Sequence, residues 1–390
     1  MYQHLYSRFL KANPGLLHFA AHSHYPWPDV TREATLEYWD VSVQRTDRKW
    51  SHFYQHVVPV AQQHVCERIG TSHPQQIAFA PNTHEFVGRI FSCLPIDRPV
   101  EVLTTDSEFH SFSRQMRRWM EDGRVNAVIV ATDPIDDFEN RFIAAAQSKK
   151  FDLIFTSHVF FNSGYCIQDP GTFFSKFADQ ADIIVADGYH GFAALPVDLS
   201  KVEDRIFYLG GGYKYAQSGE GICFLHVPPG CRYRPRNTGW FAGFDEMESE
   251  QDAEVKYNAD GSRFAGATFD FTGMYRFNAV MKLFAELGLD KVTLHGIIRK
   301  KQQLFLDLLE EAQSNVLNSG NLLFRRDRTH GHFLAFEAES AEAGEQIAAA
   351  LLEKQVYVDV RAKRIRFGFG LYQNEEDLVE LFRRLRELSF

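Results

Sequence analysis

Short β-branched and apolar runs alternate with longer amphipathic stretches through most of the chain. The runs lie near residue 78 and at 100–105, 125–132, 151–158, 181–188, 205–210 and 221–227. Runs of this length, bounded by Gly, Pro and Asp, predict buried strands. Between them, residues 110–122, 136–148 and 170–180 space their apolar positions as helices do. Nearly continuous apolar strands alternating with helices predict an α/β fold, a mainly parallel sheet covered on both faces, over about residues 60–230.

After Pro228-Pro229-Gly230 the pattern changes. An irregular stretch runs to about residue 266, and helical periodicity then occupies 275–313. A strand in GHFLAFEAE, an Ala-rich helix at 341–353, two short strands in VYVDVRAKRIRFGFG and a terminal helix follow. Asn374 caps that last helix, with Glu375, Glu376 and Asp377 in its first turn, where acids favour the helix dipole. The expected division is a large α/β domain at 16–266, with 1–15 and 267–390 forming a small α+β domain.

Composition narrows the class. Apolar residues make up 45% and charged residues 24% of the 390, the proportions of a globular protein rather than a disordered or collagenous one. The 35 Phe point to a Phe-heavy core. Forty-two Lys and Arg against 51 Asp and Glu give −9, which argues against nucleic acid as a partner. Five cysteines without a CxxC fit reduced thiols and a cytoplasmic protein. No run approaches the roughly 20 apolar residues of a bilayer helix, so no membrane partner is expected. No repeat or low-complexity tract appears.

The most informative chemistry lies around two strands. The run at 181–188 delivers Asp187 to its C-terminal end, where open α/β sheets build their sites. The run at 205–210 leads through glycines to Lys214, between Tyr213 and Tyr215. A lysine to form a Schiff base and a carboxylate to pair with a pyridinium nitrogen are what pyridoxal phosphate requires. Aromatic neighbours desolvate Lys214 and favour its neutral, nucleophilic amine. Gly210-Gly211-Gly212 lacks the GxGxxG of a dinucleotide turn, and no Walker A spacing exists. A phosphate needs a helix N-terminus, and Asn82, Thr83 and His84 offer one after the first strand. No metal is expected: His84 has no second ligand at helical spacing, and His22/His24 and His330/His332 are weak pairs.

These residues resemble the class V aminotransferase branch of fold type I pyridoxal phosphate enzymes, and within it kynureninase-like proteins, over residues 15–385. Asp187-Gly188-Tyr189-His190 resembles the family's D-x-x-H, implying that Asp187 binds the pyridine nitrogen and His190 lies near the ring oxygen. Tyr213-Lys214-Tyr215 resembles the kynureninase Y-K-Y, implying a catalytic Lys214 and a phosphate-binding tyrosine. Ser107 to Ser111 resembles the stretch whose aromatic stacks on the ring, here Phe109. Ser157-His158-Val159 through Ser163-Gly164 resembles the SHVxYxTG strand and loop. Gly239-Trp240-Phe241 and Arg263-Phe264 through Thr268 resemble segments that in the family reach a partner's cofactor phosphate, which implies a homodimer with shared sites and roles there for Trp240 and Thr268. Arg366, two residues beyond Arg364, falls where the family clamps the substrate α-carboxylate.

The chain departs from kynureninase where FPSD is replaced by Phe109-His110-Ser111-Phe112 and an Asn-Pro pair by Gly266-Ala267. The Phe-rich surroundings expected from Phe109, Phe112, Phe160, Phe161 and Phe241 would suit a hydrophobic or aromatic amino acid. Cys231 is the last cysteine, which argues against a desulfurase that uses a cysteine in the C-terminal domain. The resemblance implies a pyridoxal phosphate enzyme that acts on an amino acid through an external aldimine. Transamination leads, with Cβ–Cγ hydrolysis and a catalytically silent binding protein as alternatives.

Overall fold

The computed structural model of the chain describes residues 2–246, 254–312, 317–323 and 330–387. The strands are β1 Leu17–His18, β2 Ile77–Ala80, β3 Val100–Thr105, β4 Val125–Val130, β5 Phe151–Ser157, β6 Ala181–Asp187, β7 Phe207–Gly211 and β8 Cys223–His226. Beyond them come β9 Phe333–Glu337, β10 Val356–Tyr357, β11 Asp359–Arg361 and β12 Arg364–Gly368.

Seven strands form one sheet in the order β2-β8-β7-β6-β5-β3-β4. Only β8 runs against its neighbours, so the sheet is mainly parallel, as the uninterrupted apolar runs require. Every residue of β2, β5, β7 and β8 is buried. Alternation divides β6 between two core layers: Ile183 and Val185 face one, Ile184 and Ala186 the other. Helices Thr83–Phe91 and His110–Glu121 cover the first layer with Phe86, Ile90, Phe112 and Met116.

The C-terminal part builds an antiparallel sheet, β11-β12-β9. Beside it β1 pairs in parallel with β10, tying the start of the chain to its end. The VYVDVRAKRIRFGFG segment therefore holds three strands instead of two, because β10 pairs with β1 and β11 with β12, the change of partner falling at Val358. The periodicity expected to run through 275–313 is two helices, Thr272–Glu286 and Lys291–Ala312; Gln313 lies outside the described residues. Gly288, at φ +66, supplies the left-handed turn between them. Asn82 caps Thr83–Phe91, its side chain accepting from the Glu85 N–H.

Candidate active site

The C-terminal ends of β3, β5, β6 and β7 open onto one cavity of about 170 Å³. Asn82 and Thr83 at a helix start, Phe109 after β3, Phe161 after β5, Asp187 and His190 after β6, and Tyr213 and Lys214 after β7 all line it. Eight residues expected at the cofactor or the chemistry thus meet in space. Gly188 keeps this turn tight: a Cβ there would meet the Tyr208 ring at 1.9 Å.

Lys214 is buried, 4% exposed. Its Nζ lies 2.5 Å from His190 Nε2 and 5.1–5.6 Å from the ring centres of Tyr189, Phe109 and Tyr213. Burial pushes the amine well below the ordinary lysine range; Asp187 opposes this, and the guanidiniums of Arg366 and Arg361 reinforce it. Burial also raises the Asp187 carboxyl, offset by the Tyr189 N–H, which it accepts at 3.0 Å, and by Lys214. His190 is held neutral by burial and the neighbouring cations, and its Nδ1 is buried without a hydrogen-bond partner among the described residues.

Several expected residues lie elsewhere. Phe112, expected at the substrate, is 2% exposed and stacks on Phe155 at 3.7 Å within the core. It shares a helix stripe with Met116 and Trp119, whereas Phe109 precedes the helix with extended backbone and faces the cavity. Phe160 packs on Phe138, and Phe241 on Tyr54; Phe161 alone joins Phe109 as a cavity phenylalanine among those expected. His84 turns to a neighbouring depression with Arg114 and Arg117. Trp240 and Thr268 are exposed and do not line their own chain's cavity. Arg366 donates Nη2 to Asp359 at 2.8 Å and Nη1 to the Phe161 carbonyl.

Glu108 carries no expected role from the sequence, and His22 and His24 only that of a weak metal pair. Glu108 is buried beneath the cavity, accepting from Thr105 Oγ1 at 2.6 Å and from Ser157 N–H and Oγ at 3.2 and 2.6 Å. Burial pushes its carboxyl up to about 7 despite those donors. His22 is buried with both ring nitrogens unpartnered among the described residues, stacked on Phe333 at 4.5 Å, and His24 lies 5.5 Å from Tyr213. The His22-Ser23-His24 segment thus flanks the site. Among the described residues no three His, Cys, Asp or Glu gather as metal ligands, and no helix is long and apolar enough to cross a membrane.

The chain belongs to the class-V aminotransferase family, whose model matches residues 17–381. It is a pyridoxal-phosphate-dependent enzyme of that family. Its fold is that of C-DES. A C-DES mutant with glycine covalently linked to the cofactor superposes with TM-score 0.82 at 16% identity, covering 99% of both chains. The complex of the cystine C-S lyase C-DES with its product cysteine persulfide gives 0.80 at 16%, covering 97% of this chain and 100% of that one. The apo cysteine desulfurase from Thermococcus onnurineus NA1 gives 0.77 at 18%, covering 95% and 94%. Isopenicillin N epimerase from Streptomyces clavuligerus is 31% identical over 165 residues, 40% of this chain and 40% of that protein. The chain thus matches less than half the length of this curated relative.

The cavity's donor set fits the cofactor. Thr83 at the start of Thr83–Phe91 lines the cavity, where a helix N-terminus favours an anion, Asp187 accepts one backbone hydrogen bond and no other among the described residues, and the buried His190 Nδ1 has no protein partner among them.

Proposed function

We propose that the protein transaminates an amino acid, using Lys214 to carry the proton at Cα. The observation that supports this is the setting of the one lysine among the described residues that line the cavity: its buried amine lies 2.5 Å from His190 Nε2 and 5.3 Å from the centre of the apolar Phe109 ring. A single amine beside an apolar ring would suit a proton taken from Cα and delivered to the former aldehyde carbon, which would leave the amino group with the cofactor and release a keto acid.

Pyridoxal phosphate, when bound, supplies an aldehyde carbon and an electron-accepting ring. The residues of the chain do the rest. Lys214, kept neutral by desolvation, is the nucleophile toward the aldehyde and afterwards the base at Cα. Asp187 would hold the protonated pyridine nitrogen. The Thr83 hydroxyl and the helix N-terminus would hold the phosphate, with Asn82 and Tyr213 beside them. His190 orients the Lys214 amine, and Arg366 takes the substrate α-carboxylate as a planar fork. Exposure of Trp240 and Thr268 supports their serving the cavity of a second copy in a homodimer.

Sulfur transfer is less well supported: Cys223 lines the cavity, but burial pushes its thiol up to about 12 and keeps it protonated. Epimerisation is the reading suggested by the partial relative and needs proton delivery to both sides.

The test is to load the protein with pyridoxal phosphate, confirm the visible band bleached by borohydride, and incubate it with L-amino acids. α-Keto acid and the D-enantiomer are then quantified by chiral chromatography. Keto acid formation, lost in Lys214→Ala together with the borohydride-sensitive band, is the expected result. Accumulation of D-enantiomer without keto acid overturns the proposal.

A further inference from the structure

The hairpin of β11 and β12 carries more positive charge on one face than a single carboxylate needs. Asp359 lies opposite Arg366, and Arg361 opposite Arg364. Side chains directly opposed on antiparallel strands share a face, so three guanidiniums gather there around one carboxylate.

Each cation has a different status. Arg366 is buried, bound to Asp359 and to the Phe161 carbonyl, yet its Nε is buried with no acceptor among the described residues. A buried donor left unpaired is costly, so an acceptor carried in by a ligand is favoured there. Arg364 stands 3.7 Å from Asp133. Arg361 is 53% exposed, with only its Nε at 3.5 Å from Asp359. Among the described residues its planar Nη edge meets no acceptor, which leaves that edge for a bidentate partner. Arg366 adjoins the cavity through the carbonyl of Phe161, which lines it, and Arg361 adjoins Arg366 through the Asp359 carboxylate that both approach. One α-carboxylate at Arg366 therefore leaves Arg361, on the same face of the hairpin, with only the Asp359 carboxylate that it shares with Arg366.

We propose that the substrate is an amino acid with a second carboxylate on its side chain, the α-carboxylate held by Arg366 and the distal one by Arg361. This rests on the amino-acid reading of the cavity given above. Asp359 is then a positioning residue: placed between Arg361 and Arg366, it sets the distance between the two carboxylates that the hairpin accepts. A carboxylate is favoured over a more highly charged group because a single half-exposed guanidinium, already near Asp359, balances one charge.

The experiment is a visible-absorbance titration of the cofactor-loaded protein with L-glutamate against L-glutamine, and L-aspartate against L-asparagine. Each pair differs in the distal charge at nearly constant shape. The better acid of the two is expected to perturb the spectrum at a concentration about tenfold lower than its amide, the size of a charge-assisted hydrogen bond. Arg361→Gln is expected to bring that ratio to about one. Lys363→Gln, which removes a cation paired with Glu337 at the turn of the same hairpin, is expected to keep it, separating a local contact from net charge. Equal affinities for acid and amide in the wild type, or a ratio unchanged in Arg361→Gln, overturn the proposal. Protein that takes up no cofactor overturns both this inference and the functional reading beneath it; protein that takes it up without discriminating overturns this inference alone.

Discussion

Burial sets the protonation of the site residue by residue, and Glu108 gives the most direct check. Its carboxyl sits near 7 against an ordinary 4.5 because burial outweighs three hydrogen-bond donors. Between those values the folded protein holds a proton that the unfolded chain has released. Stability contributed by the protonated form is therefore full below about pH 4.5 and lost as pH rises through about 7. At about 1.4 kcal/mol per unit the loss is on the order of 3 kcal/mol. In cofactor-free protein, denaturant unfolding should show wild-type stability falling from pH 5 to 7.5 relative to Glu108→Gln, which has no charge to bury. Parallel profiles for the two proteins would show that Glu108 ionises freely in the fold. The residue was not legible in the sequence, since nothing in Ser107-Glu108-Phe109 signals that the carboxylate turns inward under Ser157 while the ring turns outward. Asp187 and Lys214 were legible because each follows a buried apolar run, and such a strand fixes where its end points.

At the scale of elements, the helix His110–Glu121 shows why the candidate site was read only in part. Phe112, Met116 and Trp119 follow helical spacing and form its inward stripe, so Phe112 belongs to the core although it stands three residues from Phe109. Phe112→Ala should cost about 3–5 kcal/mol, the range for emptying a buried aromatic position. The midpoint of unfolding should fall accordingly, while the concentration of pyridoxal phosphate needed for half-saturation stays the same. A loss of cofactor affinity with unchanged stability would return Phe112 to the cavity. The strands of the large sheet were legible because burial on both faces leaves continuous apolar runs. The C-terminal strands were less so: β10, β11 and β12 are two to five residues long, and pairing between distant segments, rather than pattern, defines them. The break at Gly288 was hidden for a related reason, because periodicity on either side of one left-handed residue reads as continuous.

Across the whole molecule, the cavity is assembled from segments far apart in the chain, from Pro81 to Cys223, and Arg366 of the C-terminal sheet reaches the loop after β5 through the Phe161 carbonyl. A ligand gripped by several such segments binds the folded chain and not the unfolded one, so cofactor affinity must appear as stability. Pyridoxal phosphate at about a hundredfold above its dissociation constant adds about 2.7 kcal/mol. Unfolding entropy of about 2.1 cal/mol/K per residue, over 390 residues, converts this to a rise in Tm on the order of 3 °C. Differential scanning calorimetry should show that rise in the wild type. Asp187→Ala should lose most of it at the same cofactor concentration, because the protonated pyridine nitrogen then has no carboxylate to meet in a buried cavity. Pyridoxine, which carries neither phosphate nor aldehyde, should leave Tm unmoved in both proteins. An equal rise in wild type and Asp187→Ala would mean that Lys214 and the phosphate-binding helix start hold the cofactor without Asp187, and would take from that carboxylate the role its position beside Lys214 gives it.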